Sequence, residues 1–120
     1  MVVIIILHVV LQGKIANNRI NILSIGINYY PVKNKNNNEK KTIHAECDAI
    51  NKLPTIKKKT AINILVIRLS KNNKLGMSQP CNNCVKMLSS IPTKKGYVIK
   101  NIYYSDSNNN IIKTTLTKLQ

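Results

Sequence analysis

Apolar and polar positions divide the chain into a short series of elements. The opening run MVVIIILHVVL is rich in Val and Ile, which suits a buried strand better than a helix. HVVLQGK and NRINILSIGIN are joined by IANN, and the pair predicts an antiparallel hairpin. PVKNKNNNEKK follows as a polar, low-complexity loop. Thr42 is placed to cap a helix starting at Ile43. Ile43, Cys47, Ile50 and Leu53 recur at helical spacing and give that helix one apolar face, which Pro54 ends. After TIKKKT, the near-continuous apolar run AINILVIRL predicts a central strand covered on both faces. CNNCVKMLSSI reads as a second helix closed by Pro92, and GYVIKNIYYS and NIIKTTLTKL as two more strands. The connection DSNNN cannot house a crossover helix, so these last two strands should be antiparallel. The sum is one α/β domain over residues 1–120, with a mixed sheet of about five strands and at least two helices.

Composition changes this picture in two ways. Three cysteines are an odd number with no secretory spacing, which points to a reducing, cytoplasmic setting. The opening apolar run is too short to span a bilayer, is interrupted by His8, and lacks the basic start and cleavage site of a signal peptide. His8 itself reads as a satisfied core histidine. A net charge of +15, with only four acidic residues, would attract phosphate in any form. Two explanations stay open: selection for a polyanionic partner such as a nucleic acid, or a composition swollen with Lys, Asn and Ile. With no Phe or Trp, only Tyr could stack on bases.

The chemistry concentrates in two short stretches, KTIHAECDAI and PCNNC. Cys81 and Cys84 are three apart at a helix start, so both sulfurs project from one side of the first turn. Free N–H groups and the positive helix end favour thiolates there. His44 opens the other helix, and His44, Cys81 and Cys84 together offer three zinc ligands with a fourth position open to water. Glu46, two residues on, is one of few acids and can shuttle protons beside such a water.

HAE at 44–46 with PCNNC at 80–84 resembles the zinc-dependent cytidine and deoxycytidylate deaminase superfamily, whose signature is H-x-E…P-C-x-x-C. The likeness runs from ILSIGIN to IYYS, nearly the whole chain. It implies a three-layer α/β/α sandwich in which His44, Cys81 and Cys84 bind zinc and Glu46 is catalytic. It further implies that the backbone of Ala45 contacts the base and that Asn28, in the GIN segment, holds the sugar. The implied reaction is hydrolytic deamination of cytidine, deoxycytidine or deoxycytidylate, with release of ammonia, in pyrimidine salvage. The implied assembly is a homo-oligomer. Two departures are visible. Family members carry a helix before the first hairpin that has no counterpart here, and C-terminal elements that often close the pocket are short. One sheet face would then be open unless a second subunit covers it. An antiparallel last strand resembles the free-nucleoside branch, whereas GIN with Pro31 and PCNNCVKML look more like the deoxycytidylate branch. Lys33, Lys35, Lys40 and Lys41 could meet a phosphate, or be a solvated loop.

Other readings remain in play. A lone C-x-x-C can be a redox pair, though no thioredoxin-like pattern accompanies it. His44, Cys47, Cys81 and Cys84 would make a closed structural Cys3His clasp, which leaves Glu46 and Asn28 without a role. Cys47 lies on the apolar stripe, where a buried inert thiol is ordinary. The charge also suits a nucleic-acid deaminase or an inactive nucleic-acid-binding relative.

Overall fold

The computed structural model describes residues 2–12, 17–28, 44–70, 72 and 74–120, with side chains from residue 22 onward within those ranges. Thr42 and Ile43, and the loop lysines Lys33, Lys35, Lys40 and Lys41, lie outside the described residues, as does the His8 side chain. The elements run β1 (Val2–Gln12), β2 (Asn17–Ile27), α1 (Ala45–Lys52), β3 (Thr60–Leu69), β4 (Leu75–Gly76), α2 (Asn82–Leu88), α3 (Ile91–Lys95), β5 (Tyr97–Ser105), β6 (Ile111–Thr114) and α4 (Leu116–Leu119). The sheet is mixed, in the order β2-β1-β3-β5-β6, with β4 pairing the end of β3. β1 and β2 form the expected antiparallel hairpin, from Val3 opposite Ile27 to Gln12 opposite Asn17. β3 and β5 are parallel, while β5 and β6 are antiparallel, as the short DSNNN turn requires.

The core explains which strand faces are buried. Ile62, Ile64 and Val66 of β3 pack with Ala49 and Ile50 of α1, Leu88 of α2 and Ile102 of β5. Ile91 of α3 and Leu116 and Leu119 of α4 join the same cluster, so every described helix contributes to one core on one side of the sheet. β3 is therefore central, but it is buried on alternate residues only: Asn63, Leu65 and Ile67 are half-exposed, against the expectation of cover on both faces. On β2, Ser24 and Gly26 turn inward, while Leu23, Ile25 and Ile27 are 38%, 48% and 43% exposed on the other face. A register irregularity opposite Ile6 and Leu7 separates Ile22 from this alternation.

α1 lies against β2 because the facing residues are small. A Cβ on Gly26 would collide with the Ala45 carbonyl and come within 2.5 Å of the Ala49 nitrogen. Ser24 Oγ donates to Ala49 O (2.8 Å), and Asp48 accepts from the Ile27 amide (3.1 Å). The helix carries Glu46 and Asp48 in its first turn and Lys52 in its last, which complements its dipole. It ends at Lys52, just before Pro54, as the sequence indicates.

Three boundaries differ from the sequence reading. α1 starts at Ala45, with His44 as its extended N-cap, and not at Ile43. Pro92 does not close the second helix; α2 has already ended at Leu88, and Pro92 sits in the first turn of α3. A missing N–H costs nothing there, because first-turn amides have no intrahelical acceptor. The last strand is also shorter than NIIKTTLTKL suggests. β6 stops at Thr114, and Thr115 accepts from the Lys118 amide to start α4.

Candidate metal centre

Both helix starts share one construction. His44 precedes α1 with extended backbone (φ −71°, ψ 147°), and Cys81 precedes α2 in the same way (φ −72°, ψ 167°). Their carbonyls accept the first helical bonds, from Asp48 N (3.0 Å) and Val85 N (2.9 Å). Neither side chain caps its own helix, so both are free to turn toward a common point. Cys84 occupies the third helical position of α2, and an N-cap side chain meets that position naturally. The same extended cap resolves a difficulty with His44 and Glu46. Residues two apart on a regular helix point in different directions, but His44 is not yet helical, and the constraint does not apply to it.

His44 Nδ1 lies 3.1 Å from Cys84 Sγ and 3.6 Å from Cys81 Sγ. All three ligand atoms fall within 4.8 Å of one another. A tetrahedral metal with bonds of about 2.0–2.3 Å to nitrogen and sulfur sets its ligand atoms about 3.5–3.8 Å apart. The cluster therefore fits one metal ion with little movement. The donor set, one imidazole and two thiols, is soft, which excludes magnesium and calcium as natural occupants.

Glu46 is 6% exposed, a buried carboxylate in a chain with few acids. It lies close enough to Cys84 to raise that thiol's pKa, which puts the carboxylate beside the same cluster. Burial pushes the Cys84 thiol well above its usual range, and the Glu46 carboxylate adds to the effect. All three cysteines are free thiols.

Cys47 departs from its expected role as an inert core thiol. It is half-buried, and its neighbours are Glu46, Cys81 and Cys84. Burial, and then the Glu46 charge, raise its pKa. It nevertheless stands outside the His44, Cys81 and Cys84 group. Ala45 is fully buried at the first helical position, its carbonyl against Gly26 and its amide among the donors that a helix leaves without an internal acceptor. Asn28 is half-buried, one residue past the β2 end that Asp48 ties to α1.

Two supports were not singled out from sequence. Asp48 holds the Ile27 amide and pairs with Lys52 (2.9 Å), fixing the β2 end against α1. Ser78 and Ser105 anchor the segment that leads from β4 into Pro80 and Cys81. Ser78 Oγ donates to Val66 O (2.8 Å) and accepts from the Ser105 amide (2.8 Å), while Ser105 Oγ donates to Gly76 O (2.7 Å). Both serines are buried, so these bonds form in a low-dielectric setting. The second acid of HAECD was the one available signal for Asp48; Ser78 and Ser105 meet only through the fold.

The chain matches no protein-family model, no curated protein and no solved structure.

Proposed function

We propose that the chain is a zinc-dependent hydrolytic deaminase acting on the cytosine ring of a nucleoside or nucleotide. The observation that carries this reading is a three-ligand cluster with a buried carboxylate beside one of its sulfurs. A structural site needs four protein ligands; three plus a carboxylate is the composition of a hydrolytic one. His44, Cys81 and Cys84 would hold zinc, whose Lewis acidity makes water nucleophilic near neutral pH.

The rest of the work falls to this chain's own groups. Replacing an exocyclic amine by oxygen needs a proton removed from water, one placed on the ring nitrogen, and one delivered to the departing amine. Glu46 would carry them in turn, with water consumed and ammonia released. Its burial keeps that carboxylate away from bulk solvent. The Ala45 amide and the Asn28 side chain are the groups assigned to the base and the sugar. The antiparallel β5–β6 pair supports the free-nucleoside branch of the resemblance. The finer architecture belongs to the same reading: a three-layer deaminase-like sandwich whose open face, with Leu23, Ile25 and Ile27, is covered by another subunit.

The test is ammonia release by the zinc-loaded chain from cytidine, deoxycytidine and deoxycytidylate. Turnover of at least one is expected, with the nucleosides ahead of the nucleotide. Failure of all three under saturating zinc would overturn the proposal.

One observation favours a second reading. The Cys47 thiol stands in the first turn of α1 and feels both Cys81 and Cys84, so a fourth thiol is at hand to close the site as a structural clasp. The two readings differ in what happens to the metal when Cys47 is removed.

A further inference from the structure

The described carboxylates are all engaged, and this determines where the positive charge is left free. Glu46 is buried beside Cys84. Asp48 pairs with Lys52. Asp106 accepts from the amides of Asn108 and Asn110, each at 2.9 Å, within its own turn.

The loop between α1 and β3 carries Lys57, Lys58 and Lys59, all exposed. Backbone bonds from Ile56 N to Lys95 O (2.8 Å) and from Thr60 N to Gly96 O (3.0 Å) stitch this loop to the end of α3, where Lys94 is also exposed. Lys95 belongs to the scaffold instead. Its ammonium donates to the carbonyls of Ile50 (2.8 Å), Asn51 (3.2 Å) and Leu53 (2.8 Å), which finishes α1. Lys57, Lys58, Lys59 and Lys94 thus share one pole of the molecule, and no described carboxylate pairs with any of them.

We propose that this pole is a docking surface for the phosphate backbone of nucleic acid. A patch of adjacent ammonium groups fits a ligand with closely repeated charges, and a duplex carries one per about 1.7 Å of its axis. The neighbouring residues Pro54, Thr55 and Thr93 are polar or small, so no exposed aromatic is present to stack on bases. No large apolar side chain is exposed in these segments to insert into a membrane surface either. Binding here is therefore electrostatic and indifferent to sequence.

The pole lies at the far end of α1 from His44, and eight helical residues separate the two ends by about 12 Å. The contact made there is to the phosphate backbone and needs no base at the metal cluster, so the proposal holds whether or not the chain deaminates.

The experiment is fluorescence anisotropy of the full chain with a labelled random-sequence DNA duplex across a salt series. Two triple variants are compared with wild type: Lys57→Gln/Lys58→Gln/Lys59→Gln, and the control Lys74→Gln/Lys113→Gln/Lys118→Gln, whose lysines are exposed elsewhere. With about 0.9 counterions released per phosphate contact, the first variant should flatten the log K against log salt slope by about two to three. The control should change it much less. Circular dichroism of both variants should match wild type, because all six positions are exposed. Equal losses in the two variants would show diffuse charge and overturn the proposal. So would an unchanged slope, or binding to phosphatidylserine vesicles without binding to the duplex. Ammonia release by the first variant should equal wild type, so a failed deaminase assay leaves this test intact.

Discussion

Glu46→Gln should leave the metal in place and lower ammonia release by about 10²–10⁴-fold, the usual worth of a general acid–base group. The substitution keeps the side chain's size and leaves an amide oxygen beside Cys84. It removes only the ability to take up and return a proton. His44, Cys81 and Cys84 would supply the metal ligands without it, so zinc per chain should equal wild type. Rate and metal content must therefore be read on the same preparation. A variant that loses both would mean that the carboxylate organises the site rather than working in it. A variant with full metal and a rate near wild type would remove Glu46 from the chemistry.

Gly26→Ala should destabilise the fold by about 3 kcal/mol or more, the upper range for overpacking. The sign is informative, because replacing a strand glycine by alanine ordinarily helps by reducing unfolded-state freedom. Here the added Cβ meets backbone, at the Ala45 carbonyl and the Ala49 nitrogen, and neither is a flexible side-chain end that can yield. Relief requires α1 to lift from β2. That movement stretches the Ser24–Ala49 and Ile27–Asp48 hydrogen bonds and displaces His44 and Glu46, which ride on the same helix start. In urea the midpoint should fall by about 1–3 M for a slope of about 1–3 kcal/mol/M, and metal affinity should drop with it. An unchanged midpoint would mean that α1 and β2 are not in this close contact.

Much of this architecture was legible because local chemistry and the fold agree. The hairpin follows from two β-branched runs, the end of α1 from Pro54, and the antiparallel last pair from a turn too short for a crossover. The candidate metal cluster was legible as well. HAE and PCNNC put an imidazole and two thiols at helix starts, and the structure brings His44, Cys81 and Cys84 together. What escaped depends on choices that sequence leaves degenerate. Pro92 can stop one helix or start the next, and only the end of α2 at Leu88 decides. TLTKL has strand propensity, yet Thr115 can cap, and Leu116 and Leu119 reach the core as one helical turn. Cys47 fits the apolar periodicity of α1, but its position in the first turn leaves it beside Cys84, half-buried, instead of in the core. The apolar run of β3 reads as doubly covered, whereas the described helices all gather on one side. Nothing local to β3 records which side its neighbours occupy.

The central claim is a metal held by His44, Cys81 and Cys84 with its fourth position open. The measurement that reaches it most directly is zinc content of the purified wild type, Cys47→Ser and Cys81→Ser. Cys81 is exposed, so losing its thiol should not unfold the chain. The open site predicts about one zinc per chain in both wild type and Cys47→Ser, with the metal lost from Cys81→Ser. Equal loss from Cys47→Ser and Cys81→Ser would make the cluster a closed Cys3His clasp and contradict the account.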